Sequence, residues 1–286
     1  MMKYAAYARI FRGETLEQIL NRLARYSFDG IELVGEVETP DTEKNLELIT
    51  SYGLEVSDVV ASYDWDLKDQ RDLSNPNEKM RRRAINYYIE NCVNYARDME
   101  APLVVLAPAW GKTSPIKPIE KEWRYMVSAL KEIGSHAAGV GVQIAVEPAQ
   151  RYHTYLVNSV DHALRLIKDV GLENVRIMLD TFHMNIEEKD SAAAIKRAGE
   201  RLIHVHAADS NRGAIGDGHI DFKKIIEALK EIGYRRYISI EAFPFVEKMG
   251  MKYISYNFPE SIDKEILDDL VKDAIEKFKF WEKRFR

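Results

Sequence analysis

Short apolar runs alternate with longer segments in which apolar residues recur at i, i+3, i+4 and i+7. The short runs are residues 4–8, 30–34, 55–61, 103–107, 142–146, 176–179, 203–206 and 237–240. Most are nearly continuous in their apolarity, as expected for parallel strands covered on both faces. Between them, residues 15–24 place Leu16, Ile19, Leu20 and Leu23 on one helical face. The segments 42–52, 77–98, 119–139, 159–170, 191–198, 222–232 and 262–284 are read as helices in the same way. Ser159 and Asp221 are suited to cap the fifth and seventh of these. Gly53, Gly139, Gly171 and Gly233 stand near helix ends, where a left-handed cap is wanted.

Strict alternation of strand and helix predicts an α/β fold, a single (β/α)8 TIM barrel spanning residues 1–286. No Pro/Gly-rich linker divides the chain. Two connections are long. Residues 63–76 follow the third strand, and residues 242–261 follow the eighth. The second carries Phe243, Phe245, Met249, Met251, Tyr253, Tyr256 and Phe258, so it is read as either a lid or an oligomer contact.

Composition narrows the classes. A net charge of -5 argues against non-specific nucleic-acid binding, which needs a basic footprint. The one cysteine, Cys92, cannot close an internal disulfide and sits in an apolar helical pattern, where core packing is the expected role. The start of the chain lacks a signal-peptide signature, and no apolar run approaches the ~20 residues of a membrane span. A cytoplasmic protein that binds neither nucleic acid nor membrane is the expectation.

Four candidate metal ligands end four successive strands: Glu147, Asp180, His206 and Glu241. Their spacing is roughly the 30-residue period of a strand-plus-helix unit. A parallel barrel gathers these strand ends on one face, where active sites form. Three carboxylates and one imidazole make a mostly hard site for a divalent cation. His183, three residues after Asp180, is positioned to face the same pocket. His204 and His206 share one side of their strand, and His204 is expected a layer deeper. Arg212 is either a donor to a substrate oxygen or a surface ion-pair partner. Gly216-Asp217-Gly218 either approaches a substrate closely or, the favoured reading, is a simple loop leading into a helix cap.

Glu147 and Glu241 end the fifth and eighth strands, so they approach a shared point from separated sides of the barrel mouth. A substrate carbon between them has one carboxylate on each face. That arrangement suits removal of a proton from one face and its return from the other, which inverts the carbon. The competing reading is a structural metal cluster or buried ion pairs.

At these residues the chain resembles the xylose-isomerase-like barrel superfamily, and within it the D-tagatose/D-psicose (ketose) 3-epimerases. The resemblance rests on Val146-Glu147-Pro148, the stretch from Leu179 to Glu188, His204-Val205-His206 with Asn211-Arg212, and Ile240-Glu241-Ala242-Phe243. It implies a divalent-metal-dependent isomerase of carbohydrate metabolism, with Glu147, Asp180, His206 and Glu241 as ligands. It also implies Glu147 and Glu241 as the C3 acid/base pair, and His183 and Arg212 at the substrate C2 oxygen. Manganese is the expected ion, with cobalt or magnesium as alternatives, and the expected assembly is a homodimer or homotetramer acting on a small ketose.

The chain also departs from the family. Where many 3-epimerases carry a second, sugar-contacting glutamate six residues after the first, this chain has His153. His153 is read as a partner for a substrate hydroxyl, the alternative being an exposed loop residue. Asn158 resembles a downstream family asparagine, whereas the stretch from Ala61 to Trp65 matches less well. Glu32 either lines the pocket from the second strand or is a buried structural carboxylate.

Other enzymes on this scaffold use related chemistry: aldose–ketose isomerases, hydroxypyruvate isomerase and inosose dehydratase. A barrel that binds sugar without turnover is a further alternative. An endonuclease IV-like enzyme is disfavoured, because it needs added histidines from the early strands. Here His136, His153, His162, His183, His204, His206 and His219 all follow the fourth strand.

Overall fold

A computed structural model describes residues 1–35, 41–63, 68, 70–248, 251–254 and 261–284; of 246–248 and 251–254 only the backbone is described. Eight parallel strands close into a barrel in sequence order. They are β1 (Lys3–Tyr7), β2 (Gly30–Gly35), β3 (Glu55–Ala61), β4 (Leu103–Leu106), β5 (Gln143–Val146), β6 (Val175–Asp180), β7 (Leu202–Ala207) and β8 (Tyr237–Ile240). The ring closes where Tyr4 of β1 pairs with Ile238 of β8.

The helices outside are α1 (Leu16–Arg25), α2 (Thr42–Ser51), α3 (Glu78–Tyr87), α4 (Asn94–Asp98), α5 (Ile119–Gly139), α6 (Val160–Val170), α7 (Thr181–Glu187), α8 (Ser191–Ala198), α9 (Phe222–Glu231) and α10 (Lys264–Arg284). Their apolar stripes pack onto the outer strand faces, as Leu166, Ile167 and Val170 do on α6. Ser159 and Asp221 cap α6 and α9 through their side-chain oxygens, as expected. Gly171 ends α6 in the left-handed region at φ 69°. Gly139 does not play this part. Helix α5 includes it, and the left-handed residue is Gly141 at φ 79°, two positions on.

Three features depart from the simple alternation. Helices α3 and α4 are joined without a break by a π-helical segment, Tyr88–Val93, in which Cys92 is fully buried. The short α7 stands between β6 and α8. The long final connection contains an antiparallel hairpin, β9 (Phe245–Lys248) and β10 (Met251–Ile254). The lid-or-interface expectation falls partly outside the described residues, since Met249, Tyr256 and Phe258 lie there. So do Asp64 and Trp65 of the earlier connection.

Two register shifts shape the barrel interior. On β2 and β3 the pairing moves from Ile31–Val56 to Glu32–Asp58, skipping Ser57. On β6 and β7 it moves from Ile177–Leu202 to Met178–His204, skipping Ile203, which brings Asp180 opposite His206. Such irregularities re-aim side chains and recur next to active sites.

The loops on the C-terminal face are held by a buried charge cluster. The Lys112 ammonium lies 3.0 Å from Glu122 and 3.3 Å from Asp72, all three being buried. Glu122 also accepts backbone hydrogen bonds from Ile116 and Lys117 at 2.8 and 2.6 Å. Lys112 thus joins the connections after β3 and β4 to the start of α5. Lys112→Met should destabilise the fold by about 3–5 kcal/mol, because it strands two buried carboxylates. The midpoint of urea unfolding measures this, and a shift equivalent to under about 1 kcal/mol would contradict it.

Candidate active site and metal centre

The C-terminal mouth of the barrel gathers the residues that the strand pattern singled out. Asp180 ends β6 and acts in two ways. Its Oδ1 accepts the Phe182 N–H at 2.8 Å and so caps α7, while Oδ2 faces the pocket. The cap directs the chain into α7, whose first turn carries His183. His183 Nε2 lies 3.5 Å from Glu147 and 3.8 Å from Asp180. His206 Nδ1 lies 2.7 Å from Glu241. Ligand atoms of Asp180, His206 and Glu241 fall within 4.8 Å of one another, as do those of Glu147, Asp180 and His183. Asp180 therefore belongs to both groups and links Glu147 to the other two.

Arg212 is not a surface ion-pair residue. It sits in the left-handed region at φ 62°, just beyond β7, and is buried. Its guanidinium contacts Asp180 and lies 2.6 Å from Glu241. Its Cζ stands 5.1 Å from the Phe182 ring centroid and 5.9 Å from that of Phe243. The aromatic faces and two carboxylates together fix the orientation of the guanidinium.

The two glutamates are in different electrostatic states. Burial pushes Glu147 up to about 8, with Glu241 and Asp180 adding to the rise and His206 opposing it. Burial also disfavours ionised Glu241, but Arg212 and His206 outweigh it and hold that carboxyl far below the usual range. Burial brings His183 down to about 4, so its imidazole is neutral near pH 7. For His206 the desolvation cost is overcome by Glu32 and Glu241, which raise it well above an ordinary imidazole.

These residues fit a divalent cation. The donor set holds three carboxylates and an imidazole, and Arg212 is the one guanidinium paired with them among the described residues. Burial is the main reason that Glu147 is raised, with Glu241 and Asp180 adding to it, and a cation bound beside it would favour the ionised form. Both ring nitrogens of His206 are buried without an aligned hydrogen-bond partner. The 2.7 Å approach to Glu241 is thus a charge contact rather than a directed bond.

His153 is not an exposed loop residue. Its ring packs at 5.8 Å on Trp110 and 5.6 Å on His183, forming a wall of the pocket. Asn158 donates to the carbonyls of Ala149 and Thr154, which shapes that loop. The Gly216–Gly218 turn wraps the buried Asp209, whose carboxylate accepts the N–H groups of Gly216 and Ile220 at 2.8 and 3.1 Å. Its loop-and-cap reading holds. Glu32 has no exposed surface, and lies beneath His206 rather than in the open pocket. Sequence reasoning missed Asp58 and Asp209, both fully buried. For Asp58 a signal was available, namely a carboxylate inside the apolar run of β3.

Comparison with known proteins agrees with this architecture. Residues 20–255 match the xylose isomerase-like TIM barrel family. The D-psicose 3-epimerase of Ruminiclostridium cellulolyticum is 35% identical over 187 residues, which cover 63% of this chain but only 62% of that protein. The 3-dehydro-D-guloside 4-epimerase of Escherichia coli is 28% identical over 251 residues, covering 84% of this chain and 92% of that one. Among solved structures, a D-psicose 3-epimerase with D-tagatose from Clostridium cellulolyticum superposes with a TM-score of 0.84 at 26% identity, covering 98% of this chain and 99% of the other. The closed eight-stranded barrel and the match over most of its length make this chain a member of the xylose isomerase-like TIM barrel family.

Proposed function

We propose that this protein is a divalent-cation-dependent epimerase of a small ketose, inverting carbon 3 with Glu147 and Glu241 as the acid/base pair. The observation that carries the reading is geometric: Glu147 and Glu241, from separated parts of the barrel mouth, each join Asp180 in a largely buried group able to hold a metal ion. Likeness to 3-epimerases supports the reaction class.

Glu147, Asp180, His206 and Glu241 would hold the ion. When bound, a divalent cation polarises a sugar carbonyl and stabilises negative charge on its oxygen. The chain's own groups move the proton. For one epimer, ionised Glu241 takes the C3 proton, and the C–H electron pair moves into a C2–C3 enediolate. Glu147 then delivers a proton to the opposite face, and the C2 carbonyl re-forms. For the other epimer the two glutamates exchange roles. His183 and Arg212 hold the C2 oxygen, and the Trp110–His153 wall limits the far side of the sugar. No net oxidation occurs, so no redox cofactor is required. On the family's pattern we read the ion as manganese and the working form as a cytoplasmic homodimer or homotetramer.

A second reading draws support from the 4-epimerase relative, which aligns along most of the chain. There the carbonyl stands at C3 and the exchanged proton at C4, with the same two glutamates. Incubation with ketoses and keto-glycosides in deuterated water, followed by NMR, decides between them. Deuterium at C3 with the C3 epimer as product is the expected result. Label at C4 selects the second reading. Label at C1 or C2 with an aldose product makes the protein an isomerase, and no exchange with any of these sugars points to a phosphorylated or cyclitol substrate, or to a barrel that only binds.

A further inference from the structure

Beneath the mouth lies a second group of ionisable side chains, which the reaction does not use. Glu32 from β2, Asp58 from β3 and His204 from β7 are fully buried, and their ligand atoms lie within 4.8 Å of one another and of His206. The shifted β2/β3 register sets Glu32 directly opposite Asp58, and burial with Glu32 nearby pushes Asp58 well above the usual carboxylate range. Glu32 stands 3.0 Å from His206 Nε2 and 3.4 Å from His204 Nε2, through the same carboxylate oxygen. Neither N–H points squarely at that oxygen. Among the described residues, the two imidazoles are the ion-pair partners of Glu32.

Each nitrogen of His206 faces a different layer. Nδ1 is turned to Glu241 at the mouth and Nε2 to Glu32 below. An imidazole that offers a lone pair on one nitrogen must carry its proton on the other. A buried carboxylate opposite the second nitrogen settles which one that is. We propose that Glu32 is a positioning residue. Its carboxylate accepts the Nε2–H of His206, which keeps the proton, and so favours the tautomer whose Nδ1 lone pair faces Asp180 and Glu241. His204 shares the same acceptor oxygen, and Asp58 closes the far side at 3.5 Å from His204 Nε2. None of the three side chains beneath His206 has exposed surface, so bulk water does not compete for these contacts. In so dry a setting a single hydrogen bond to a charged acceptor strongly favours one tautomer. This inference rests on the reading of Asp180, His206 and Glu241 as ligands.

The test uses 15N-histidine-labelled full-length protein, with and without magnesium, together with manganese titration against a fluorescent chelator. His206 should carry a slowly exchanging, low-field proton on Nε2 in both samples, and magnesium should shift Nδ1. Glu32→Ala, folded by circular dichroism, should lose that resonance and bind manganese about 10–100-fold more weakly. Glu32→Gln keeps an acceptor oxygen and should fall between the two. A merely structural glutamate would lower the melting temperature of both variants and leave the manganese Kd of the folded protein unchanged, which would overturn the proposal. A proton on Nδ1 with Nε2 facing the ion overturns it without any variant. Two ions per chain, falling to one in Glu32→Ala, would make the lower group a cation site instead. If the unaltered protein binds no manganese, the ligand reading fails, while the Nε2 resonance still decides what Glu32 does.

Discussion

Epimerisation in both directions, and exchange of the C3 proton in the epimer that presents it to Glu241, are expected to fall by about 10³-fold or more in Glu241→Gln, with the barrel intact. Glutamine keeps the size of the side chain and one acceptor oxygen but cannot take up a proton. Glu241 contacts Arg212 and His206, so the variant also removes a charge that both of these groups face. Metal content must therefore be measured beside turnover. A variant that holds its ion yet does not exchange the C3 proton of that epimer isolates the base role, whereas loss of both assigns the effect to ligation. Glu147→Gln should be as inactive in the epimerisation. If its proton sits on the return face, it should still wash deuterium into one epimer while forming little of the other. Full turnover in either variant would end the two-base scheme. The asymmetry has a physical basis, since Glu147 is raised to about 8 with burial as the main cause, whereas Arg212 and His206 keep Glu241 ionised. A bound cation favours the charged form of both, so the contrast is sharpest in the ion-free protein.

Removal of divalent ions should abolish turnover and lower stability together. Manganese restored at 100 times its Kd should add about 2.7 kcal/mol, provided that the unfolded chain does not bind it. For a chain of this size that corresponds to a rise of about 5 °C in Tm. The reason lies in the mouth itself, where burial disfavours the ionised form of Glu147 and the neighbouring Glu241 and Asp180 add to that, a cost that a bound cation would relieve. Asp180→Asn should remove most of the manganese effect, because Asp180 belongs to both ligand groups. Its cap on α7 survives in that variant, since asparagine also accepts from the Phe182 N–H. An unchanged Tm on adding manganese to chelator-treated protein would count against the metal centre.

Much of the fold was legible because local patterns carry it. Strands 55–61 and 237–240 and helices 119–139 and 191–198 have the bounds that their apolar period predicts. The helix cap at Gly139 was misplaced because α5 runs through that glycine and turns at Gly141, and spacing alone does not say which glycine adopts positive φ. The π-helical segment at Tyr88–Val93 and the hairpin after β8 were not read from the sequence, since π turns are rare irregularities within otherwise α-helical segments and the hairpin lies in a connection without clear period.

The sequence by itself determined that Glu147, Asp180, His206 and Glu241 end strands of a parallel barrel, because strand length and βαβ period are local properties of the chain. Only the tertiary structure decided how they combine. Register shifts between neighbouring strands set Asp180 opposite His206 and Glu32 opposite Asp58, and a shift of one residue depends on backbone pairing between distant segments. It also moved Arg212 from a possible surface pair into the site, set His153 against Trp110, and placed Glu32 beneath His206. Which glutamate holds a proton was likewise beyond the sequence. That depends on burial and on charges within a few ångströms, which come together only when the ring closes.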